Sequence, residues 1–330
     1  MMNRFLNNLS SIDVSHLKNK SKYVGKWAYA IFRIAFLICV GFVVVYPLFY
    51  MVVTSLQSKY AFLNSTRVWI PSDFDVINNY KMAIACMDYS KSLVSTLING
   101  VVPALIQVAS CSVVAYGFAR FEFKGKKIKT ALLLLTIILP DMMLLIPRMA
   151  NYSKLDFLGI LGLFNQLTGV DLRLNILNSF WAFGLPALFG VGLKSGILIY
   201  IYIQFFKGLP RELEEAAWVD GSGPIRTFIS IAIPSSGVVI ITVVLFSLIW
   251  HWNDFLLSGM YLTENYPLAY MLNNMETAMQ NNGYYFVPSQ PETMAFAMAA
   301  CVLFVTPMLI LYMILQRWFI ESIDRVGITG

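Results

Sequence analysis

Six stretches of this 330-residue chain are apolar for long enough to cross a bilayer: about 28–53, 96–119, 130–150, 183–206, 235–258 and 294–318. A helical span needs about 20 such residues, and hydrocarbon leaves the backbone no partner except itself. The pattern restricts the chain to an all-α integral membrane fold with six transmembrane helices. Composition agrees, since 13% of residues are charged, against about 25% in a soluble domain. The third and fourth runs are the least clean, because Pro140, Asp141, Pro186 and Lys194 interrupt them. A polar segment, 1–26, precedes the first run and no small-residue cleavage site follows it. That run is expected to be a retained span rather than a signal peptide.

Basic residues set the orientation. Arg4, Lys18, Lys20, Lys22 and Lys26 precede the first run, and Arg120, Lys124, Lys126, Lys127 and Lys129 follow the second. Lys207, Arg211 and Arg226 lie between the fourth and fifth, whereas 258–292 contains no Lys or Arg. Both termini and the 207–234 loop are therefore expected on the cytoplasmic side. The net charge of +6 is accounted for by these loops and needs no nucleic acid. The 1–26 tail, with its Lys-x-Lys-x-Lys run, is expected to be mobile or to lie on an anionic leaflet. Cys39, Cys111 and Cys301 fall inside predicted spans and Cys86 in an outer loop, so a disulfide framework is not expected. His16 and His251 are far apart, and no Cys/His cluster suggests a metal site.

The 207–234 loop is a charged island between two apolar runs. Pro210 suits the first turn of a helix, and Glu212, Glu214 and Glu215 sit where the helix dipole favours negative charge. Ala216 and Ala217 follow, and Gly221 can close the helix in a left-handed cap. Pro224 opens a second short helix that ends near Pro234. The expected product is a helix–turn–helix at a membrane surface, with side chains small enough at its centre for another protein to approach closely.

Glu215-Ala216-Ala217, then Asp220-Gly221, Ile231 and Pro234, resemble the EAA loop that marks the membrane subunits of ABC importers. The longer form from Leu209-Pro210 to Asp220-Gly221 looks like the carbohydrate-uptake branch, specifically the smaller permease of maltose-type transporters. Ala115-Tyr116, Ala119-Arg120, Phe123 and Gly125 resemble that family's exit from its second span. Pro71, Phe74 and Asn79-Tyr80 resemble its approach to that span. The resemblance covers about 28–330. It implies a type I ABC importer permease in the plasma membrane, with 27–330 as the membrane domain and 320–330 as a cytoplasmic tail. It also implies a second permease subunit, two cytoplasmic ATPases that carry ATP and Mg, and an extracytoplasmic solute-binding protein. The 207–234 loop would couple to the ATPases through Glu212, Glu215, Ala216, Ala217, Asp220, Gly221, Ile231 and Pro234. Glu215 is the residue expected to pair with a basic group there. Thr329 stands where the family commonly has Lys in its Gly-rich tail.

This chain carries no Walker A sequence, because Arg120 and Lys127 stand where Gly and Ser/Thr are required around Gly125-Lys126. It is not expected to be an enzyme or to hold a cofactor. Two ionisable residues interrupt spans. Asp141 follows Lys129 by twelve residues, and Lys194 precedes Lys207 by thirteen, which puts both roughly 18–20 Å from the inner face in unbroken helices. They would pair, face the substrate path, or lie in water-exposed re-entrant segments made by breaks at Pro140 and Pro186. Trp252-Asn253-Asp254 resembles a triplet of sugar permeases, with an aromatic face and polar groups for a sugar. The alternative is an interfacial aromatic belt. Tyr284, Tyr285 and Phe286 are candidates to cap the pathway. Two other functions stay open: the same architecture importing a non-sugar solute, and an ion-coupled secondary transporter with Asp141 and Lys194 as relay.

Overall fold

The computed structural model describes residues 14–58, 60–61, 70–156, 159–283 and 291–327. These residues form helices and connecting loops, with no strand among them; Gln57 with Phe74 and Leu155 with Leu174 make isolated bridges that clip loops together.

Helix α1 (Val14–Leu56) is one unbroken element. The part of the polar tail from Val14 onward is helical and continuous with the first predicted span. The C-terminal end of α1 is closed from a distance: Asn79 Nδ2 donates to the carbonyls of Ser55 and Gln57, both at 2.9 Å. Ser58 Oγ donates to Asp73 at 2.7 Å, so the Asp73 to Tyr80 stretch serves as a cap for α1. Helix α2 (Val76–Met87) follows, and then α3 (Tyr89–Arg120), which contains a wide π turn over Leu97–Val101. The widened turn sits just before Pro103, whose ring would clash with an ordinary preceding turn and which has no N–H to donate. Gly100 lies in it, and a Cβ there would stand 3.4 Å from the His251 carbonyl oxygen.

The third predicted span is bent. Helix α4 (Lys126–Ile138) stops where Leu139, held extended by the following Pro140, leads into a 3-10 turn over Asp141–Leu144. Helix α5 (Leu145–Ser153) continues at 101° to α4. A short α6 (Ile160–Thr168) lies in the next connection. The fourth predicted span is split into α7 (Trp181–Leu188) and α8 (Ser195–Gly208). Pro186 is inside α7; the break falls after it, where Gly190 and Lys194 take φ of +68° and +53°. Fully buried Gln107 of α3 satisfies this irregular backbone, its Nε2 donating to the Leu193 carbonyl and Ser195 Oγ at 2.7 Å each.

Helices α9 (Glu212–Val219) and α10 (Pro224–Ser235) form the expected helix–turn–helix. A second π turn, Phe228–Ala232, stands just before Pro234. Helix α11 (Gly237–Trp252) leaves α10 at 83°. Short helices α12 (Leu256–Tyr261), α13 (Leu268–Asn273) and α14 (Met275–Asn281) lead to the long α15 (Pro291–Gly327). Among the described residues three helices are unbroken and apolar enough to span a membrane, Lys26–Leu56, Tyr89–Arg120 and Thr293–Arg317, and the two bent pairs bring the number to at most five.

Three apolar clusters hold these elements. The largest joins α3, α8 and α11 through Cys111, Ala115, Leu198, Tyr202, Phe206 and Val243. Alanines and a cysteine on α3 let the other two helices approach closely, as small residues do in lipid. A second gathers α2, α13, α14 and α15 around Met87, Leu268, Met279 and Phe296. The third packs α7 against α12 through Phe183 and Tyr261. Along residues 31–49 α1 is exposed on every side, Phe36, Leu37 and Val43 included.

Candidate functional site

The two loop signatures of the sequence meet in space. Arg120, the last residue of α3, donates from Nε to Glu214 Oε1 of α9 at 2.9 Å and from Nη2 to the Leu209 carbonyl at 2.8 Å. Both side chains are almost wholly buried, 3% and 2% exposed. One turn earlier, Tyr116 packs its ring on Phe206 of α8 and Phe228 of α10, with centroids 5.5 and 4.9 Å away. An aromatic floor and a buried ion pair therefore fix the helix–turn–helix to the C-terminal ends of α3 and α8.

Local chemistry shapes the motif above that floor. The helix starts at Glu212 with Arg211 as its N-cap, so Pro210 lies before the first turn and not in it. At the other end the Gly221 N–H donates to the Trp218 carbonyl at 3.0 Å and the Ser222 N–H to Ala217 at 2.9 Å, with Gly221 at φ +82°. These paired bonds form the glycine-terminated helix end in which a residue with a Cβ would be strained. Of the expected coupling residues, Glu212, Glu215, Ala216, Asp220, Gly221 and Pro234 are exposed, while Ala217 and Ile231 are half-buried. Leu213, Trp218, Val219, Ile225 and Ile229 add uncovered apolar area to the same helix–turn–helix. Sequence reasoning singled out Glu215 and passed over Glu214, whose inward position follows from its partner ninety-four residues away.

Nearer the middle of the molecule the expected pathway residues divide. Asp141 begins the 3-10 turn after α4, and Lys194 is the left-handed residue before α8, so both stand at helix breaks. No ion pair joins them among the described residues; the Lys194 ammonium lies 5.2 Å from the centroid of the Trp250 ring. Trp252 is 5% exposed, donates from Nε1 to the Phe304 carbonyl at 3.3 Å and packs on the Phe304 ring. This corrects the expectation of a free stacking face: Trp252 is core. Asn253 is exposed, and its amide donates back to Ile249 at 2.8 Å. Asp254 accepts from the Leu257 N–H through Oδ1 and from the Ser258 N–H and Oγ through Oδ2, at 3.0–3.1 Å, which caps α12. Tyr284, Tyr285 and Phe286 lie outside the described residues, as does Thr329.

Asp254 nevertheless lines a narrow cavity of about 20 Å³ enclosed by α3, α5, α7, α11 and α12, together with Asn99, Arg148, Tyr152, His251 and Tyr261. A larger cleft of about 580 Å³ opens beside it, lined by Lys91, Asn178, Phe180, Glu264 and Asn265. Asn99, in the π turn of α3, lines both. Arg148 was not singled out from the sequence, although an arginine inside the 130–150 apolar run is a signal of the same kind as Asp141 and Lys194. Among the described residues no group of three or more His, Cys, Asp or Glu could hold a metal ion.

Comparison with known proteins agrees with this architecture. AmyC of Thermoanaerobacterium thermosulfurigenes, a probable starch degradation products transport system permease protein, is 24% identical over 279 residues, 84% of this chain and 89% of its own. MelC of Bacillus subtilis (strain 168), a melibiose/raffinose/stachyose import permease protein, is 24% identical over 297 residues, covering 90% and 94%. A solved chain of a bacterial ABC transporter involved in importing the acidic polysaccharide alginate superposes with a TM-score of 0.61 at 18% identity, over 89% of this chain and 98% of that one. The family of binding-protein-dependent transport system inner membrane components matches residues 18–325, and this chain belongs to that family.

Proposed function

We propose that this chain is one membrane-spanning subunit of an ATP-driven, binding-protein-dependent importer of a sugar or oligosaccharide in the plasma membrane. The observation that carries the coupling role is the helix–turn–helix α9–α10, which is rigidly seated on its inner side by Arg120–Glu214 and leaves Glu215, Ala216 and Val219 uncovered on the other. Such a surface suits docking into a groove on a partner. Glu215 would form a charge-assisted hydrogen bond with a basic residue there, and Ala216 would permit close approach. The carbohydrate class rests on the relatives, which carry starch degradation products, melibiose, raffinose and stachyose.

In this reading the chain crosses the membrane six times with both termini inside. The third and fourth crossings are completed by α4 with α5 and by α7 with α8. The uncovered stretch of α1 meets lipid or a second permease subunit. Two cytoplasmic ATPases hold ATP and Mg, and an extracytoplasmic binding protein delivers the solute. ATP binding closes the ATPases, which moves α9–α10. Because that unit is fixed to α3 and α8, the motion reaches the helices that wall the cavity and switches its opening between the two faces. The ATPase pair provides the difference in free energy between those states.

A pull-down tests the coupling role. Membranes from the native host are solubilised, and wild type is compared with the Glu215→Lys, Gly221→Asp double variant. An ATPase that co-purifies with the wild type and not with the folded double variant is the expected result. A folded wild type that brings no ATPase refutes the reading.

A further inference from the structure

The cavity that Asn99 shares with the outer cleft is lined by one cation and one acid, with no ion pair between them. Arg148 is the only Lys or Arg that lines it, and Asp254 the only acid. Both Asp254 oxygens are already occupied by capping bonds to Leu257 and Ser258. Arg148 has no carboxylate within ion-pair distance among the described residues. Its neighbours are tyrosines: Tyr152 and Tyr261 lie within its electrostatic reach. The Tyr261 hydroxyl, in a residue 2% exposed, faces the Arg148 guanidinium and has no acceptor for its own proton. Asp141 lies within electrostatic reach of Asp254 and does not line the cavity.

A half-buried guanidinium without a counter-ion and a buried hydroxyl without an acceptor both lack the same thing, an oxygen anion. The surrounding groups define what carries that anion. The Tyr152 ring, packed on Tyr261 with centroids 5.1 Å apart, offers an aromatic face, while the Asn99 amide and His251 imidazole suit hydroxyl groups. Planar, bidentate recognition of a carboxylate is what a guanidinium does best. We propose that the transported saccharide is acidic, with a ring carboxylate of the uronate type, and that Arg148 receives that carboxylate as the solute passes from the outer cleft. This rests on the reading of the chain as a saccharide importer. At about 20 Å³ the cavity is too small for a sugar ring, so the contact forms when the helices around it part.

The test uses the complete transporter in proteoliposomes with saturating binding protein. Uptake of trigalacturonate and of maltotriose is measured for wild type, Arg148→Gln and Arg148→Lys. The expected result is that wild type carries trigalacturonate, that Arg148→Gln lowers this uptake about 10- to 100-fold, and that Arg148→Lys retains an intermediate rate. Co-purification of the ATPase and an unchanged size-exclusion profile in both variants exclude misfolding. Unchanged trigalacturonate uptake in Arg148→Gln overturns the proposal, as does a wild type that carries maltotriose alone; in both cases the saccharide reading survives. If neither trimer is carried while the ATPase still co-purifies, this proposal is overturned, and the saccharide reading falls with it only if melibiose and raffinose are refused as well.

Discussion

Arg120→Met is the substitution with the largest expected effect on the coupling region. It leaves Glu214, 2% exposed, without its 2.9 Å partner and the Leu209 carbonyl without its 2.8 Å donor. Breaking a buried ion pair from one side costs about 3–5 kcal/mol, and an orphaned carbonyl costs about 1–3 kcal/mol more. Whole-protein stabilities run to about 5–15 kcal/mol, so the loss is large enough to release α9 locally even where the membrane helices stay folded. The double variant Arg120→Met, Glu214→Leu removes both charges at similar volume and should recover most of the loss, because a well-packed apolar pair is about as stable as a buried ionic one. Limited trypsin digestion at Arg211 and Arg226, in parallel with thermal aggregation followed by size exclusion, reads both effects. The expected order of protease resistance is wild type, then the double variant, then Arg120→Met well below both. If Arg120→Met resists trypsin and heat as wild type does, the ion pair does not hold the coupling helix and the lever described above has lost its anchor.

Two further substitutions probe the interior. Trp252→Ala should destabilise by about 3–5 kcal/mol, seen as a lower melting temperature, while Trp252→Phe should transport normally; loss of saccharide binding in a stable Trp252→Phe would restore a pathway role. Gln107→Leu removes both donors from the α7–α8 break, and should lower the melting temperature and speed backbone amide exchange over 189–195; unchanged exchange there would mean that the break holds itself.

Much of this architecture is legible in the sequence because lipid makes local composition decisive. Apolar length located the first, second and sixth spans, and the residues that weakened the third and fourth runs also mark where those runs are broken or bent. Pro186 misplaced one break: it lies inside α7, and the irregular backbone comes after it, where Gly190 and Lys194 adopt left-handed conformations. The motif 207–234 was legible because cap, dipole and close-approach rules act within a few residues. What stayed hidden depends on long-range partners. Glu214 and Glu215 are indistinguishable until Arg120 claims one of them, and Trp252 looks like a binding face until α15 covers it. The Lys-rich segment from Val14 reads as a polar tail because no apolar stripe announces its helix; its continuity with α1 does.

The paired π turns have a consequence for how this chain tolerates change in length. Each wide turn, Leu97–Val101 and Phe228–Ala232, ends two residues before a proline, as though a single residue had been added to an ordinary helix. Removing one residue from either would restore regular winding, but would rotate everything on one side of it by about 100° relative to the other. In α3 that rotation would carry Gly100 and its neighbours away from His251, or Arg120 away from Glu214. The two irregular turns thus fix the angular phase between the two ends of their helices, so a one-residue deletion there is expected to be more damaging than most substitutions.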